Sequence, residues 1–335
     1  MLEFVLLFVG FFIIMLAYFK VADYFNIIDK PNDRSSHTQI TIRGGGVLFP
    51  LSWFVYEFIH GFHYPWMTIG VLLIATISFL DDRMELSSRF RFLIHTLAFT
   101  ACFYQLQLFG LLPWWGVIGA YIVGIGCLNA VNFMDGINGM TGLYALSVLL
   151  PLQWFWYQSF WNGSILNYLS LAILIFGFYN FRKKAKCFAG DVGSITIGYM
   201  LVFFLLALIF NRVSPITNTV NYIVLETSNI FSFDLKFILL LTLYGLDAIL
   251  TLVQRLYLKE NIFEAHRRHL YQLLVNEYGQ AHLLIAVIYA TIQCMISIWV
   301  FTESIDWISG LVFLLLGTTL YSLFKRYLIK GLKSA

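Results

Sequence analysis

The sequence predicts an all-α, polytopic integral membrane protein, and three observations carry that reading. Hydrophobic residues make up 60% of the 335 residues and charged ones only 12%, against about a quarter charged in soluble domains. The mean hydropathy is +0.79. The apolar residues come in long unbroken runs, near the ~20 residues a helix needs to cross a bilayer, and not in the alternating pattern of a membrane barrel strand.

About eleven transmembrane helices are expected, at Leu2–Val21, Gly45–Ile59, Trp66–Leu80, Phe92–Gly110, Trp114–Leu128, Met140–Tyr157, Ile165–Phe181, Ser194–Phe210, Phe237–Val253, His282–Phe301 and Trp307–Phe324. The second and third are short. The first lacks a basic start and a small-residue cleavage site, so it reads as a retained helix and not a signal peptide. An odd number of spans puts the ends on opposite sides. One set of connections holds 19 of the 21 basic residues, leaving Arg212 and Lys236 to the other. The positive-inside rule then makes the basic side cytoplasmic, with the N-terminus outside and the C-terminus inside. Trp114, Trp115, Trp154, Trp156, Trp161 and Trp307 fall near the outer ends, where interfacial aromatics belong. The formal net charge of +3 gives no reason to expect nucleic acid as a partner. The four cysteines show no paired spacing; Cys102, Cys127 and Cys294 lie in apolar runs and Cys187 in a basic loop, without a zinc or disulfide signature.

The chemically suggestive residues gather on the basic side, so residues 1–335 read as a single domain with a site built by five loops, near 29–46, 81–91, 129–142, 182–194 and 247–272. The central stretch is Asn129 to Leu143. Asn132, Asp135 and Asn138 recur every third residue and would share a face in a helical turn. Gly136, Gly139 and Gly142 permit close backbone approach. Such polar, glycine-rich backbone at a membrane face implies a polar ligand site, although a plain hairpin between two helices would look similar.

Asp81-Asp82 ends an apolar run. Adjacent carboxylates repel unless a cation or proton is shared, and hard oxygen ligands suit Mg²⁺ or Mn²⁺. Gly190-Asp191-Val192-Gly193-Ser194 places a carboxylate in a glycine turn before a helix, whose exposed N–H groups can bind a phosphate. Arg34, His37, Arg43, His266, Arg267, Arg268 and His269 supply positive charge and donors, though the arginines would equally face anionic lipid. Together these parts point to phosphoryl transfer, which rests on positioning and charge neutralisation. A transporter is the reading from another class. It would show mid-span charges or repeated broken helices, and the sequence has no internal repeat and almost no charge inside the spans.

The order Asp-Asp, Asn-x-x-Asn-Phe-x-Asp-Gly-x-x-Gly, Gly-Asp-x-Gly-Ser and a final His/Arg loop resembles the polyprenyl-phosphate N-acetylhexosamine-1-phosphate transferases, a superfamily that includes the phospho-MurNAc-pentapeptide translocase. The segment Asp29 to His37, the Arg43-Gly-Gly step and the run Ala265 to Gln272 look most similar to the bacterial branch that starts O-antigen, capsule or related surface polysaccharides. The resemblance implies transfer of an N-acetylhexosamine-1-phosphate from a UDP-sugar to undecaprenyl phosphate with release of UMP, assisted by Mg²⁺ (or Mn²⁺), at the cytoplasmic face of a bacterial inner membrane, with room for a homodimer. It implies that Asp191 is the chief metal ligand, and that Asp81 is the base or orienter for the lipid phosphate with Asp82 beside it. Asn132, Asp135 and Asn138 would hold the nucleotide and metal region, and Phe188 would stack on uracil. His266, Arg267 and His269 would grip the diphosphate or sugar; Arg34, His37 and Arg43 would bind substrate; Arg89 and Arg91 are further phosphate candidates.

Three departures stand out. The translocase has an Asp where Asn138 sits. Tyr271 and Gln272 replace the last two histidines of the broader family's ending, which disfavours a donor carrying the peptide. Gln39, Ile40 and Thr41 stand where prolines are usual. The sugar stays open among GlcNAc, GalNAc and a 6-deoxy N-acetyl sugar.

Overall fold

The computed structural model describes residues 2–29, 39–84, 86–157, 164–210, 234–261 and 266–334. Arg34 and His37 lie outside the described residues. Each of the eleven apolar runs falls on helix: α1 (Leu2–Tyr24), α2 (Leu48–His60), α3 (Pro65–Asp81), α4 (Ser88–Gln105) with the short α5 (Leu108–Leu111), α6 (Trp114–Met134), α7 (Met140–Tyr157), α8 (Ile165–Asn180), α9 (Gly190–Ile209), α10 (Thr242–Tyr257), then, after the one-turn α11 (Leu270–Gln272), α12 (His282–Thr302) and α13 (Trp307–Ser334). Among the described residues six helical segments are long and apolar enough to cross a membrane, and α3, α8 and Met140–Phe155 are shorter apolar helices. The chain is therefore an all-α polytopic membrane protein.

Three boundaries differ from expectation in ways that matter for the site. The run predicted as Phe92–Gly110 is two helices, because Gln107 takes a left-handed conformation at φ 57° and breaks it. Helix α6 continues past Leu128 to Met134, so Asn129 and Asn132 are helical. Helix α9 begins at Gly190, which puts Asp191 in its first turn.

Helix α9 is the axis of the fold, with every residue from Val192 to Ile209 buried. It packs against α2, α3 and α6, while α7 packs on α12 and α8. Close approach has a local cause at Gly70 of α3, where a Cβ would meet the ring of Tyr199. The Tyr199 hydroxyl then reaches past α3 to donate to the Ala98 carbonyl of α4 at 2.7 Å. At the periphery, large apolar side chains stand exposed on α1 (Val5, Phe8), α6 (Ile122, Val123) and α13 (Leu315, Leu320). Faces this apolar match lipid and not water.

Candidate active site

The ends of α2, α3, α6 and α9 meet where two loops are zipped together. Residues 28–29 and 41–42 pair antiparallel, and Ile42 bridges in parallel to Cys187. The ladder continues as Phe188 N–H donates to Ile42 O at 2.8 Å, Gly45 N–H to Phe188 O at 2.8 Å and Gly46 N–H to Ala189 O at 3.0 Å. The glycines of Arg43-Gly-Gly-Gly46 thus lie against those of Gly190 to Gly193. Gly190 has φ +71°, and a Cβ there would come within 2.6 Å of Asp82 Oδ2 and 2.8 Å of Gly44 N. Glycine is required at that position by both conformation and space.

The paired aspartates turn apart. Asp81 accepts from Arg91 Nη1 at 2.7 Å and from the Leu86 N–H at 2.9 Å. Asp82, with its side chain fully buried, pairs with Arg43 Nε at 2.6 Å. It also accepts the N–H groups of Asp191 at 2.9 Å and Val192 at 3.1 Å. The two carboxylates are therefore relieved by two different arginines and share no cation with each other directly. The helix-start amides expected for a phosphate are already taken: Asp82 caps α9 from another helix, where the dipole favours an anion. Burial raises the Asp82 carboxyl, opposed by Arg43 and these two amides. Arg43 in turn reaches Asp191 Oδ1 through Nη2 at 3.1 Å, so one guanidinium bridges two acidic residues.

Asp135 completes the acidic group. It is the residue after α6 and accepts the Thr141 hydroxyl at 2.6 Å. Burial pushes its carboxyl up to about 7, with the charges of Asp191 and Asp82 adding to the effect. The Asp81 and Asp82 carboxylates bear on Asp191 in the same way. Asp81, Asp82, Asp135 and Asp191, from three separate stretches of chain, thus act on one another around Arg43. Among the described residues no three His, Cys, Asp or Glu form a ready-made metal cage. Mg²⁺ does not need one, since it is commonly held by one or two carboxylates, substrate phosphates and its own waters. A surplus of buried carboxylate over arginine, all hard oxygen, fits such an ion.

The central amides do not form the shared face that their spacing predicted, because α6 stops at Met134. Asn132 lies on the helix and accepts the Ser194 hydroxyl at 2.6 Å, tying α6 to α9. Asn138 lies in the following turn and donates to the Arg182 carbonyl at 2.9 Å. Asn180, which in the sequence only closes an apolar run, is buried here. It accepts from Gly139 N–H at 2.7 Å and donates to Cys187 O at 2.8 Å, stitching the turn to the fourth loop. Beside this seam Asn138 and Phe188, with Thr41, Lys183 and Lys184, line a cleft of about 610 Å³.

The fifth loop is placed by Asp247 and Tyr271. His269 is buried, with Nδ1 3.1 Å from Asp247 Oδ1. Tyr271 donates to Phe133 O at 2.9 Å and fills the space over Gly136, where any Cβ would strike its hydroxyl. His266 and Arg267 line a second cavity, of about 540 Å³, with Arg255 and Arg268. Arg268 is paired with Glu260. Burial, then the neighbouring cations Arg255, Lys325 and Arg268, hold His266 down to about 4, so it is neutral at pH 7. The sequence puts Asp247 at the start of the fifth loop; the structure instead buries it within α10, where a lone acid in an apolar helix marks function inside membranes.

The fold and this site define a class: a polytopic membrane protein with an acidic cluster and cationic loops gathered at the ends of its helices. Residues 64–209 match the family model described as glycosyl transferase family 4. The chain is 31% identical over 201 residues to a phospho-N-acetylmuramoyl-pentapeptide-transferase of Thermotoga maritima, an alignment covering 54% of this chain and 62% of the relative. It is 27% identical over 203 residues to a probable undecaprenyl-phosphate N-acetylglucosaminyl 1-phosphate transferase of Bacillus subtilis, covering 54% and 55%. It is 29% identical over 230 residues to the undecaprenyl-phosphate alpha-N-acetylglucosaminyl 1-phosphate transferase of Escherichia coli K12, covering 59% of each. The matches thus span 55 to 62% of the length of these relatives. Over these stretches the chain is thus similar both to a phospho-N-acetylmuramoyl-pentapeptide-transferase and to undecaprenyl-phosphate N-acetylglucosaminyl 1-phosphate transferases.

Proposed function

We propose that this protein transfers an N-acetylhexosamine-1-phosphate from a UDP-N-acetyl sugar to undecaprenyl phosphate and so begins a surface polysaccharide. The observation that carries the reading is the bridge of Arg43 between Asp82 and Asp191, at 2.6 and 3.1 Å, with Asp135 and the Arg91-held Asp81 beside it. Acidic and cationic groups far apart in sequence meet there as a diphosphate site requires. We read eleven crossings with the site at the cytoplasmic face, from the charge bias of the connections.

In this reaction a phosphate oxygen of the lipid attacks the sugar-bearing phosphorus of the donor. The bond from that phosphorus to the bridging oxygen breaks, and UMP leaves. A phosphate whose second pKa is near 6 is already a strong nucleophile at neutral pH, so little proton removal is needed. Asp81, held by Arg91, orients the incoming group. Arg43 supplies fixed positive charge where the transferring phosphoryl oxygens gather. Asp191 and Asp135 are the residues that would hold Mg²⁺ (or Mn²⁺), which when bound neutralises the diphosphate charge. Asn138 and Phe188 line the cleft we assign to the uridine, and His269 with Arg267 faces the diphosphate or sugar.

The test is purified protein in detergent with undecaprenyl phosphate, Mg²⁺ and a panel of UDP-N-acetyl sugars, including the peptide-bearing donor. UMP release and the mass of the lipid product are the readouts. One donor is expected to release UMP with wild type and none with Asp191→Asn. Transport of a lipid-linked sugar without UMP release would overturn the reading.

A further inference from the structure

Asp247 is used by no step above, yet it is the most heavily hydrogen-bonded carboxylate among the described residues. It is fully buried in α10. Its Oδ1 accepts from Leu270 N–H at 3.1 Å, Tyr321 OH at 2.9 Å and Thr251 Oγ1 at 3.2 Å. Its Oδ2 accepts from Tyr289 OH at 2.8 Å. His269 Nδ1 stands 3.1 Å from Oδ1. Lys325 Nζ donates to Thr251 at 2.8 Å, adding a cation behind the group. A buried carboxylate is costly unless its lone pairs are filled, and here α10, α11, α12 and α13 all contribute to filling them.

This arrangement constrains His269. A carboxylate can only accept, so the proton of the neutral imidazole sits on Nδ1. The ring cannot turn away, because it lies between His266, at 4.9 Å between centroids, and Tyr271, stacked at 5.8 Å and 19°. Tyr271 is itself anchored on the Phe133 carbonyl, two residues before Asp135. What remains is Nε2, which is buried and has no hydrogen-bond partner among the described residues. A buried polar atom held on a locked ring without a partner is a group awaiting a ligand.

We infer that Asp247 is a positioning residue that fixes the tautomer and plane of His269 so that Nε2 meets the donor substrate, and that Tyr289 and Tyr321 hold Asp247 for that purpose. The inference rests on the sugar-phosphate transfer reading above. It also gives α13, whose outer face is exposed and apolar, a part in the site, because Tyr321 and Lys325 of that helix brace the catalytic loop.

Two measurements test it. In the UMP-release assay, Asp247→Asn is expected to lower kcat about 10²-fold, and Tyr321→Phe a few-fold with the folded yield unchanged. The double variant Asp247→Asn/His269→Asn is expected to be no slower than His269→Asn alone, because both changes remove one unit of function. Multiplying effects, or a loss of melting temperature with normal kcat per folded molecule, would reduce Asp247 to a packing element and overturn the proposal. Independently of turnover, ¹⁵N-histidine spectra of wild type are expected to show His269 protonated on Nδ1, and Asp247→Asn, whose amide can donate to that nitrogen, to populate the other tautomer. An unchanged tautomer overturns the proposal even where a variant folds poorly. If wild type released no UMP with any donor, the transfer reading would fail while the spectra still decided the histidine pairing.

Discussion

The carboxylate of Asp82 caps the helix that carries Asp191, accepting the Asp191 N–H at 2.9 Å across 109 residues of sequence. It holds Arg43 with the same group. Removing it should therefore act on structure first. Asp82→Ala strips the cap from α9 and leaves the Arg43 charge short of a partner, at a cost on the order of 3–5 kcal/mol for a broken buried pair. Detergent melting curves should show a large drop, with activity lost alongside. Asp191→Asn, at the partly exposed end of the bridge, should abolish UMP release with only a small change in melting. Equal melting losses for the two variants would contradict this division of labour.

Gly190 is the position where the two glycine-rich loops touch. Gly190→Ala must hold an L-residue at φ +71° and press its Cβ on Asp82 Oδ2 and the Gly44 backbone. The backbone strain alone is on the order of 1–2 kcal/mol, and the clash adds to it. Asp82 would be displaced from the amides it caps. Turnover is expected to fall at least about 10²-fold, as happens when a reacting geometry shifts by about 1 Å. Gly245→Ala, where a Cβ meets nothing within 4 Å, is the matched control and should stay near wild type.

The helices were legible because their apolar runs are long and bounded by charge, and every predicted run lands on helix, although Phe92–Gly110 is split at Gln107. The convergence of Arg43, Asp81, Asp82, Asp135 and Asp191 was expected from their common side of the membrane. Their pairings were not, because nothing local in Asp81-Asp82 says that one carboxylate turns to Arg91 and the other to Arg43 and α9. The amide spacing misled for a simple reason: a period of three implies a face only where the helix continues, and α6 ends at Met134. Asn180 and Tyr271 carry no local signal because each works through a partner 41 or 138 residues away. Tyr271, which in the sequence is the loss of a histidine, is in the fold a plug over Gly136.

Phe188 and Asn138 share the 610 Å³ cleft, and Phe188 is the one phenyl ring in its lining among the described residues, with the His282 imidazole the other ring there. Base stacking on an aromatic is worth roughly 1–3 kcal/mol. Phe188→Leu is therefore expected to weaken inhibition by UMP about 10- to 100-fold and raise the donor KM by a similar factor. The KM for undecaprenyl phosphate should stay unchanged. Asn138→Ala frees the Arg182 carbonyl and should disturb the turn as well as the cleft, lowering kcat and affinity together. A donor KM unaffected by Phe188→Leu would move the uridine elsewhere.

On the function proposed above, Asp135 and Asp191 are the groups expected to link pH to metal binding. The Asp135 carboxyl has a folded-state value of about 7, above the ordinary 3.8, chiefly because it is buried. Between those values the folded protein keeps a proton that the unfolded chain has released. Without metal, stability should therefore be highest at the acid end and decline as pH rises from about 4 to about 7, by an amount on the order of a few kcal/mol. If Asp135 holds Mg²⁺ as proposed, the ion competes with that proton, so melting in EDTA should fall as pH rises from about 5.5 to about 7, and added Mg²⁺ should restore it most at the alkaline end. At pH 7 metal addition should release protons to an unbuffered solution. Asp135→Asn removes one of the two carboxyls that burial raises to about 7, Asp191 being the other, and should lessen the pH dependence in EDTA. A wild-type curve already flat across this range would show that Asp135 is ionised throughout and that its burial is offset by some other charge.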